Sequence, residues 1–175
     1  MKNLETERLI LRKIVKEDTE DIFNNWAKDP EVVRYLTWTN HKTVEDTKLI
    51  VDKWLEDYQS EDTYRWIVIL KAYGIAIGMI DVVAFNKKDK RAEIGYCYGK
   101  KYWGNGYATE ALREVINYLK NTDIELITAK HSIYNPQSGK VMEKAGMKYI
   151  GTFEKWVKGN DNKRHDVKFY SYYCE

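Results

Sequence analysis

Proline is nearly missing from this 175-residue chain: only Pro30 and Pro136 occur. No stretch is rich in proline or glycine and no internal repeat is visible, so nothing marks a linker. The chain reads as a single domain over residues 1–175, long enough to bury a core. The two cysteines, Cys97 and Cys174, are too few for a disulfide framework or a metal site. They read as reduced thiols of a cytoplasmic protein. No apolar run approaches a membrane span, and the opening residues 1–5 hold no apolar signal core. The net charge is +2, from 29 Lys and Arg against 27 Asp and Glu. That balance lacks the basic stripe with which proteins neutralise nucleic-acid phosphates. The expected partners therefore exclude metals, nucleic acids and membranes.

Aromatic residues are plentiful, with 14 Tyr and 6 Trp. They suit a cleft for something flat or aliphatic, although core packing is their commoner use. The densest signal lies in Tyr96-Cys97-Tyr98-Gly99-Lys100-Lys101-Tyr102-Trp103-Gly104-Asn105-Gly106-Tyr107-Ala108-Thr109-Glu110. An alternating strand end runs through a two-glycine turn into a helix with apolar residues at 108, 111, 112, 115, 116 and 119. Such a bend aims several backbone N–H groups at one point, at the positive end of a helix dipole. It suits an anion, most often a diphosphate. Gly104 and Gly106 let the main chain approach a ligand closely; they also suit an ordinary tight turn. Lys100 and Lys101 lie beside the loop. Two other phosphate loops are excluded: Thr109 breaks the G-x-G-x-x-G spacing, and no Gly-Lys-Ser/Thr closes the turn.

Elsewhere the periodicity predicts a strand over 8–14 and a helix over 20–27, led by Asp18 and ended by Asp29-Pro30. A short helix is expected over 31–36. Thr43 caps a further helix, with Asp46 completing the capping box and Thr47, Ile50, Val51, Trp54, Leu55 and Tyr58 on its apolar face. Strands are expected over 64–70, 75–85 and 91–98 as an antiparallel meander. The helix of 107–119 follows, then a strand over 126–133 that lies parallel to 91–98. Pro136 opens a short helix that Gly146 ends. A final strand pair covers 147–156 and 166–173. The fold class is α+β: a mixed central sheet with helices on both faces.

This order of elements resembles the GNAT acetyltransferase superfamily, and within it the ribosomal-protein N-acetyltransferase-like subgroup, which also contains antibiotic-modifying members. Arg8-Leu9-Ile10-Leu11-Arg12 resembles the subgroup's first strand and Ala92-Glu93-Ile94-Gly95-Tyr96 its fourth. Trp103-Gly104-Asn105-Gly106-Tyr107-Ala108-Thr109-Glu110-Ala111 resembles its acetyl-CoA loop. Asn135-Pro136-Gln137-Ser138, followed by Glu143-Lys144-Ala145-Gly146-Met147, resembles the exit of its fifth strand and the next helix. The resemblance implies a mostly antiparallel sheet whose fourth and fifth strands splay apart. It implies acetyl-CoA as cosubstrate, with the diphosphate on the N–H groups of Gly104, Asn105, Gly106, Tyr107 and Ala108. Thr109 and Lys101 belong to the same implied site, Lys101 standing where the family commonly has Gln or Arg. The edge of Tyr96-Cys97-Tyr98 would pair with the pantetheine arm like an added strand. Asn135 would reach that arm with its amide; a turn residue before Pro136 is the plainer alternative.

The implied reaction transfers acetyl directly from a thioester to a primary amine, of a small molecule or of a peptide or ribosomal-protein N-terminus. The amine must lose a proton, the oxyanion wants a backbone N–H near Tyr96 or Cys97, and the thiolate needs a donor. Glu93 is the first candidate for proton acceptor, directly or through water, against a merely structural carboxylate. His131 is second, although it shares a face with Ile127, Ala129 and Ile133 as a core histidine would. Asp81, inside an apolar strand, is third, as a base or as a holder of the acceptor's positive charge. Many superfamily members place a donor tyrosine at the position of Met142, which cannot donate. Ser138 is the candidate substitute, against a serine that only lines a helix start, with Tyr134 a further hydroxyl nearby. Cys97 is read as a packed thiol and not as a covalent carrier. Loss of the tyrosine keeps a second reading open, a non-catalytic acyl-CoA-binding or sensing module. Trp26, Tyr35, Trp38, His41, Trp66 and Trp156 are the aromatic candidates for the acceptor side. An exposed last strand is expected to offer a homodimer contact.

Overall fold

Strand alternation gives one sheet two apolar faces, and helices cover both. The computed structural model describes residues 1–174. Its strands are β1 (Leu4–Glu5), β2 (Leu9–Arg12), β3 (Arg65–Leu70), β4 (Ile75–Asn86), β5 (Arg91–Tyr98), β6 (Leu126–Ser132), β7 (Lys148–Lys158) and β8 (Arg164–Tyr173). Its α-helices are α1 (Thr19–Ile22), α2 (Pro30–Val33), α3 (Val44–Asp57), α4 (Tyr107–Leu119) and α5 (Pro136–Lys144). The sheet order is β1-β2-β3-β4-β5-β6-β8-β7. Every neighbouring pair is antiparallel except β5–β6, which is parallel because α4 carries the chain back between them. The expected α+β architecture, mostly antiparallel with helices on both faces, is observed.

β3 shows how the layers form. Trp66, Val68 and Leu70 join the core beneath α4 and α5, with Leu112, Val115 and Leu119 of α4. Ile67 and Ile69 face the other way, against Ile22, Trp26 and Val51. Trp66 is fully buried, and its indole N–H donates to the Lys2 carbonyl at 2.8 Å, so its one polar atom is satisfied.

Several local expectations are met by their stated chemistry. Thr43 accepts from the Asp46 N–H at 3.2 Å while Asp46 accepts from the Thr43 N–H at 2.9 Å. Pro136 occupies the first turn of α5, and Gly146 follows the helix at φ +94°. Other expectations are corrected. The helix over 20–27 widens after Ile22: Lys28 N–H bonds to the Phe23 carbonyl at 3.2 Å, one residue further back than an α-helix allows. α2 stops at Val33, short of Leu36. The Val33 carbonyl is taken by Leu36 N–H in a tight turn and by the Asn160 side-chain amide at 3.0 Å. The strand β1 was not expected, and it makes the strands of the parallel pair fifth and sixth here. The last strand, β8, is not an edge, for it lies between β6 and β7; the edge at this end of the sheet is β7, bulged near Gly151 and again between Phe153 and Val157, and β1 is the edge at the other end.

Trp66→Ala should lower unfolding free energy by about 3–5 kcal/mol in urea titrations, the cost of emptying a buried aromatic site. Tyr73→Ala, at a 74% exposed position, should leave it within about 0.5 kcal/mol.

Candidate active site

The parallel ladder between β5 and β6 is short. It runs from Arg91 opposite Leu126 to Ile94 opposite Ala129 and then ends, although β5 continues to Tyr98 and β6 to Ser132. Beyond Ile94 the strands part, as the expected splay requires. Gly99 N–H bonds to Ile77 of β4 at 2.9 Å. By alternation Cys97 also turns its main chain to β4, while Tyr96 and Tyr98 turn theirs to the open edge. The Tyr98 carbonyl is already engaged there by the Trp103 indole N–H at 2.7 Å. Of the expected three-residue edge, Tyr96 therefore offers both main-chain groups, Tyr98 only its N–H, and Cys97 neither.

The glycine turn follows at once. Gly104 and Gly106 both adopt the left-handed conformation, φ +78° and +82°. A Cβ on Gly104 would meet nothing within 4 Å, and one on Gly106 only the Arg8 guanidinium at 3.5 Å. The first main-chain bond of α4 is from Glu110 N–H to the Gly106 carbonyl at 3.0 Å, and no side chain caps the helix. Among the described residues, the N–H groups of Gly104, Asn105, Gly106, Tyr107, Ala108 and Thr109 have no protein acceptor. Six unpaired donors thus lie together at a helix N-terminus, with open space beside Gly104. The Asn105 side chain folds back, donating to the Tyr102 and Trp103 carbonyls at 3.2 and 3.1 Å.

A clamp holds the turn from behind. Arg8 donates to Glu110 through Nε at 2.7 Å, contacts it through Nη2 at 2.6 Å, and reaches the Asn105 carbonyl at 3.0 Å. The Arg8 main-chain N–H and the Thr6 hydroxyl occupy the other Glu110 oxygen at 3.0 and 2.6 Å. The Arg8 guanidinium also lies over the Tyr107 ring. Burial pushes the Glu110 carboxyl up, but the bonds from Thr6 and Arg8 outweigh it and hold it below its ordinary value. In the sequence the only sign of this clamp is Glu110 in the first turn of a helix.

Two cavities meet at the splay. One, of about 720 Å³, is lined by the glycine turn, Tyr96, Cys97, Tyr98, Asn135, Ser138, Lys140 and Lys144. The other, of about 1210 Å³, opens on the α1–α3 side and is lined by Tyr35, Trp38, Trp54, Asp81, Glu93, Gly95, Lys130 and Asn160. Tyr35, Leu36, Tyr96, Cys97 and Tyr134 line both. Asn160, at the β7–β8 turn, roofs the larger one by donating to the Val33 and Trp38 carbonyls, each at 3.0 Å.

The candidate side chains fall as follows. Ser138 donates to the Tyr96 hydroxyl at 2.9 Å, and that hydroxyl donates to the Ser138 carbonyl at 2.9 Å, so the pair bridges the mouth of the splay. Burial pushes the Tyr96 phenol up, partly offset by its bond to Ser138. Asn135 has no side-chain capping bond and lines the smaller cavity. Lys101 turns its ammonium to the Tyr102 ring, 4.9 Å from the centroid, and the cations lining the cavity are instead Lys140 and Lys144 of α5. Their i, i+4 spacing was the available signal. Glu93 is ion-paired with Lys130. His131 donates Nδ1–H to the Ser132 carbonyl at 2.7 Å, and its Nε2 is buried without a partner against Gly139. It lies beside Tyr170 under α5, at the wall of the larger cavity, and burial lowers its pKa. Met142 is core. Burial pushes the Cys97 thiol up, with Asp81 adding to the effect. Of the aromatic acceptor candidates, Tyr35 and Trp38 line the larger cavity. Trp26 and Trp66 are core, His41 bonds Thr47, and Trp156 packs tilted against Phe153 and edge-to-face against Phe169 at the β7 edge. Trp54 is the aromatic that the sequence placed only as helix core.

Glu110→Gln should cost about 1.5–3 kcal/mol of stability at pH 7, the range for hydrogen bonds to a charged group. Because the folded carboxyl titrates below its unfolded value, its contribution is complete above the unfolded pKa and disappears as pH falls through the folded one. Urea titrations from pH 7 to pH 3 should show that acid loss in the wild type and a flatter profile in the variant.

Residues 8–148 match the acetyltransferase (GNAT) domain family. The chain is 31% identical over 169 residues to a Bacillus subtilis (strain 168) protein named uncharacterized N-acetyltransferase YoaA, covering 96% of this chain and 94% of that one. The crystal structure of a GNAT-family acetyltransferase from Bacillus anthracis superposes with a TM-score of 0.85 at 29% identity, covering 99% of both chains. Two further structures share the fold at lower identity. One is the microcin C7 self-immunity acetyltransferase MccE in complex with acetyl-CoA and AMP (TM-score 0.87, 19% identity, 96% and 93% covered). The other is the ribosomal-protein-S5-alanine acetyltransferase from Vibrio fischeri (TM-score 0.86, 20% identity, 100% and 98% covered). With most of its length inside the domain match, and a full-length relative beside it, this chain belongs to the GNAT acetyltransferase family.

Proposed function

We propose that this protein is an acetyl-CoA-dependent N-acetyltransferase, working as a single domain, that moves an acetyl group directly to a primary amine. The observation that carries the reading is the set of six unpaired N–H groups around Gly104 and Gly106, set at a helix N-terminus and leading into an open strand edge. A diphosphate supplies the acceptors those donors lack. The two amides of a pantetheine arm supply what Tyr96 and the Tyr98 N–H leave unpaired. Asn135 is free to bond the same arm. Lys140 and Lys144 place positive charge beside the phosphates, the role first looked for at Lys101. The residues present therefore fit the cosubstrate that the family uses.

In this reading the smaller cavity holds the cosubstrate and the larger one admits the amine, the two meeting at Tyr96. The Tyr96 N–H faces the open edge and would stabilise the oxyanion as it develops. Ser138 and Tyr96 form a hydroxyl pair at the same point. Burial pushes the Tyr96 phenol up and keeps it protonated, and with the Ser138 hydroxyl it can pass a proton toward a departing thiolate. The pair supplies the donor that Met142 cannot, which favours catalysis over the sensing alternative. The ribosomal-protein type of acceptor and the small-molecule type both remain within the family resemblance.

Gly104→Val and Gly106→Val place a Cβ among the donors in a conformation that β-branched residues rarely adopt. Each should weaken CoA binding at least tenfold by calorimetry. The stabilisation by CoA, about 2.7 kcal/mol at a hundredfold excess over Kd, should shrink accordingly. Unchanged affinity in both would remove the turn as the cosubstrate site. Ser138→Ala should lower kcat about a hundredfold while acetyl-CoA affinity stays within about threefold; an unchanged kcat would take Ser138 out of the proton path.

A further inference from the structure

The larger cavity contains two carboxylates on adjacent strands, and they differ in what they are free to do. Glu93 lies where β5 is still paired to β6, opposite Thr128, and Lys130 occupies its carboxylate. Asp81 of β4 lies directly opposite Gly95, the first residue of β5 beyond the parallel ladder. Its side chain is 13% exposed. One oxygen, Oδ2, is held by Arg65 Nε at 3.3 Å, and Arg65 is itself anchored to Asp57 of α3 at 2.9 Å. The other, Oδ1, has no hydrogen-bond partner among the described residues. It lies 3.8 Å from where a Gly95 Cβ would stand. Val83 packs over the same spot, 2.7 Å from where that Cβ would stand, so only glycine fits at 95 beside Asp81 and Val83. The result is a carboxylate fixed at one oxygen and free at the other, one strand from the open edge, with Tyr35, Trp38 and Trp54 around the same cavity.

We propose, on the N-acetyltransferase reading above, that Asp81 receives the acceptor's ammonium group and takes its proton, with Arg65 as its positioning residue. Asp81 lies one strand spacing, roughly 4.8 Å, from β5, and an amine at the open edge lies about one further spacing beyond, so the proton passes from the amine to Oδ1 through bridging water. The balance is complete. R–NH3+ gives one proton to the Asp81 carboxylate through that water. The freed nitrogen lone pair forms the C–N bond to the acetyl carbon as the C–S bond breaks. The nitrogen's second proton goes to the thiolate by way of the Ser138–Tyr96 hydroxyls, and Asp81 returns its proton to solvent. The products are the N-acetyl amine, CoA thiol and one proton, with no oxidant or metal required.

The charged and titratable groups facing Asp81 are Arg65 of β3, Asp57 and Tyr58 of α3 and Cys97 of β5, with the Glu93–Lys130 pair further along the floor. Burial raises the Asp81 carboxyl above its ordinary value, and Arg65 opposes that rise. The acidic limb of a rate profile governed by Asp81 therefore lies higher than an unperturbed aspartate would put it.

The test uses the intact protein saturated with CoA, with tryptamine and spermidine as amine probes in calorimetry, and acetyl-CoA with the same amines in rate measurements against pH. Asp81→Asn is expected to weaken binding of both amines at least tenfold. It should also lower kcat/KM for any amine turned over at least a hundredfold and erase the acidic limb. Asp81→Glu should restore the limb. Melting curves and CoA affinity verify that each variant is folded. If CoA fails to bind the wild type, the acetyltransferase reading falls. If CoA binds and Asp81→Asn treats the amines as the wild type does, the Asp81 assignment falls alone. If neither amine binds the CoA-loaded wild type, the cavity does not receive ammonium groups and the assignment is overturned. An acidic limb kept in Asp81→Asn but lost in Glu93→Gln transfers the role to Glu93.

Discussion

Two neighbouring strands that stop bonding to each other halfway along their length leave main-chain groups without partners, and a folded chain seldom tolerates that in its interior. Here β5 and β6 separate after Ile94 and Ala129, and the rest of the site is arranged around the gap. Tyr96 spans it to Ser138 on α5. The glycine turn extends it with six more unpaired donors. The clamp of Arg8, Thr6 and Glu110 keeps that turn open from the far side, using side chains that a closed sheet would not need. Polar groups left unpaired in one place, with ion pairs spent to hold them there, indicate a surface shaped for a guest.

The gap also divides the molecule's chemistry by face. On the α4–α5 side stand main-chain donors, neutral hydroxyls and lysines, which suit an anionic chain. On the α1–α3 side stand aromatic rings and two carboxylates, Glu93 paired with Lys130 and Asp81 held by Arg65 at one oxygen and free at the other. The two cavities meet where β5 is bare, at Tyr96 and Cys97. On the proposed reading, that meeting point would let an acetyl group pass directly between two ligands, with no covalent way-station. The packed Cys97 thiol, its pKa pushed up by burial, is poorly suited to being one.

Features legible in the sequence were those that act over a few residues. The Thr43–Asp46 capping box, the Pro136 helix start, the apolar stripe of α4 and the glycine turn each sit within one window of the chain, where spacing alone carries the physics. Features that stayed hidden join distant positions. Glu93 and Lys130 belong to strands separated by a whole helix, and only the parallel register reveals that one neutralises the other. Asn160 shortens α2 from a turn more than a hundred residues away. The bond between Tyr96 and Ser138 is of the same kind. The sequence placed Tyr96 on a strand edge before the glycine turn, and it could not show that the hydroxyl would meet a serine across the gap.

The indole of Trp103 has one more effect. By sealing the Tyr98 carbonyl it leaves the bare edge with an unequal set of contacts, two at Tyr96 and one at Tyr98. A guest that bonds along such an edge has a single best alignment, since sliding by one strand repeat, roughly 6.8 Å, forfeits a partner. On the proposed reading the tryptophan would act as an end stop, indexing the tip of a long flexible molecule to one place on the sheet without touching that tip.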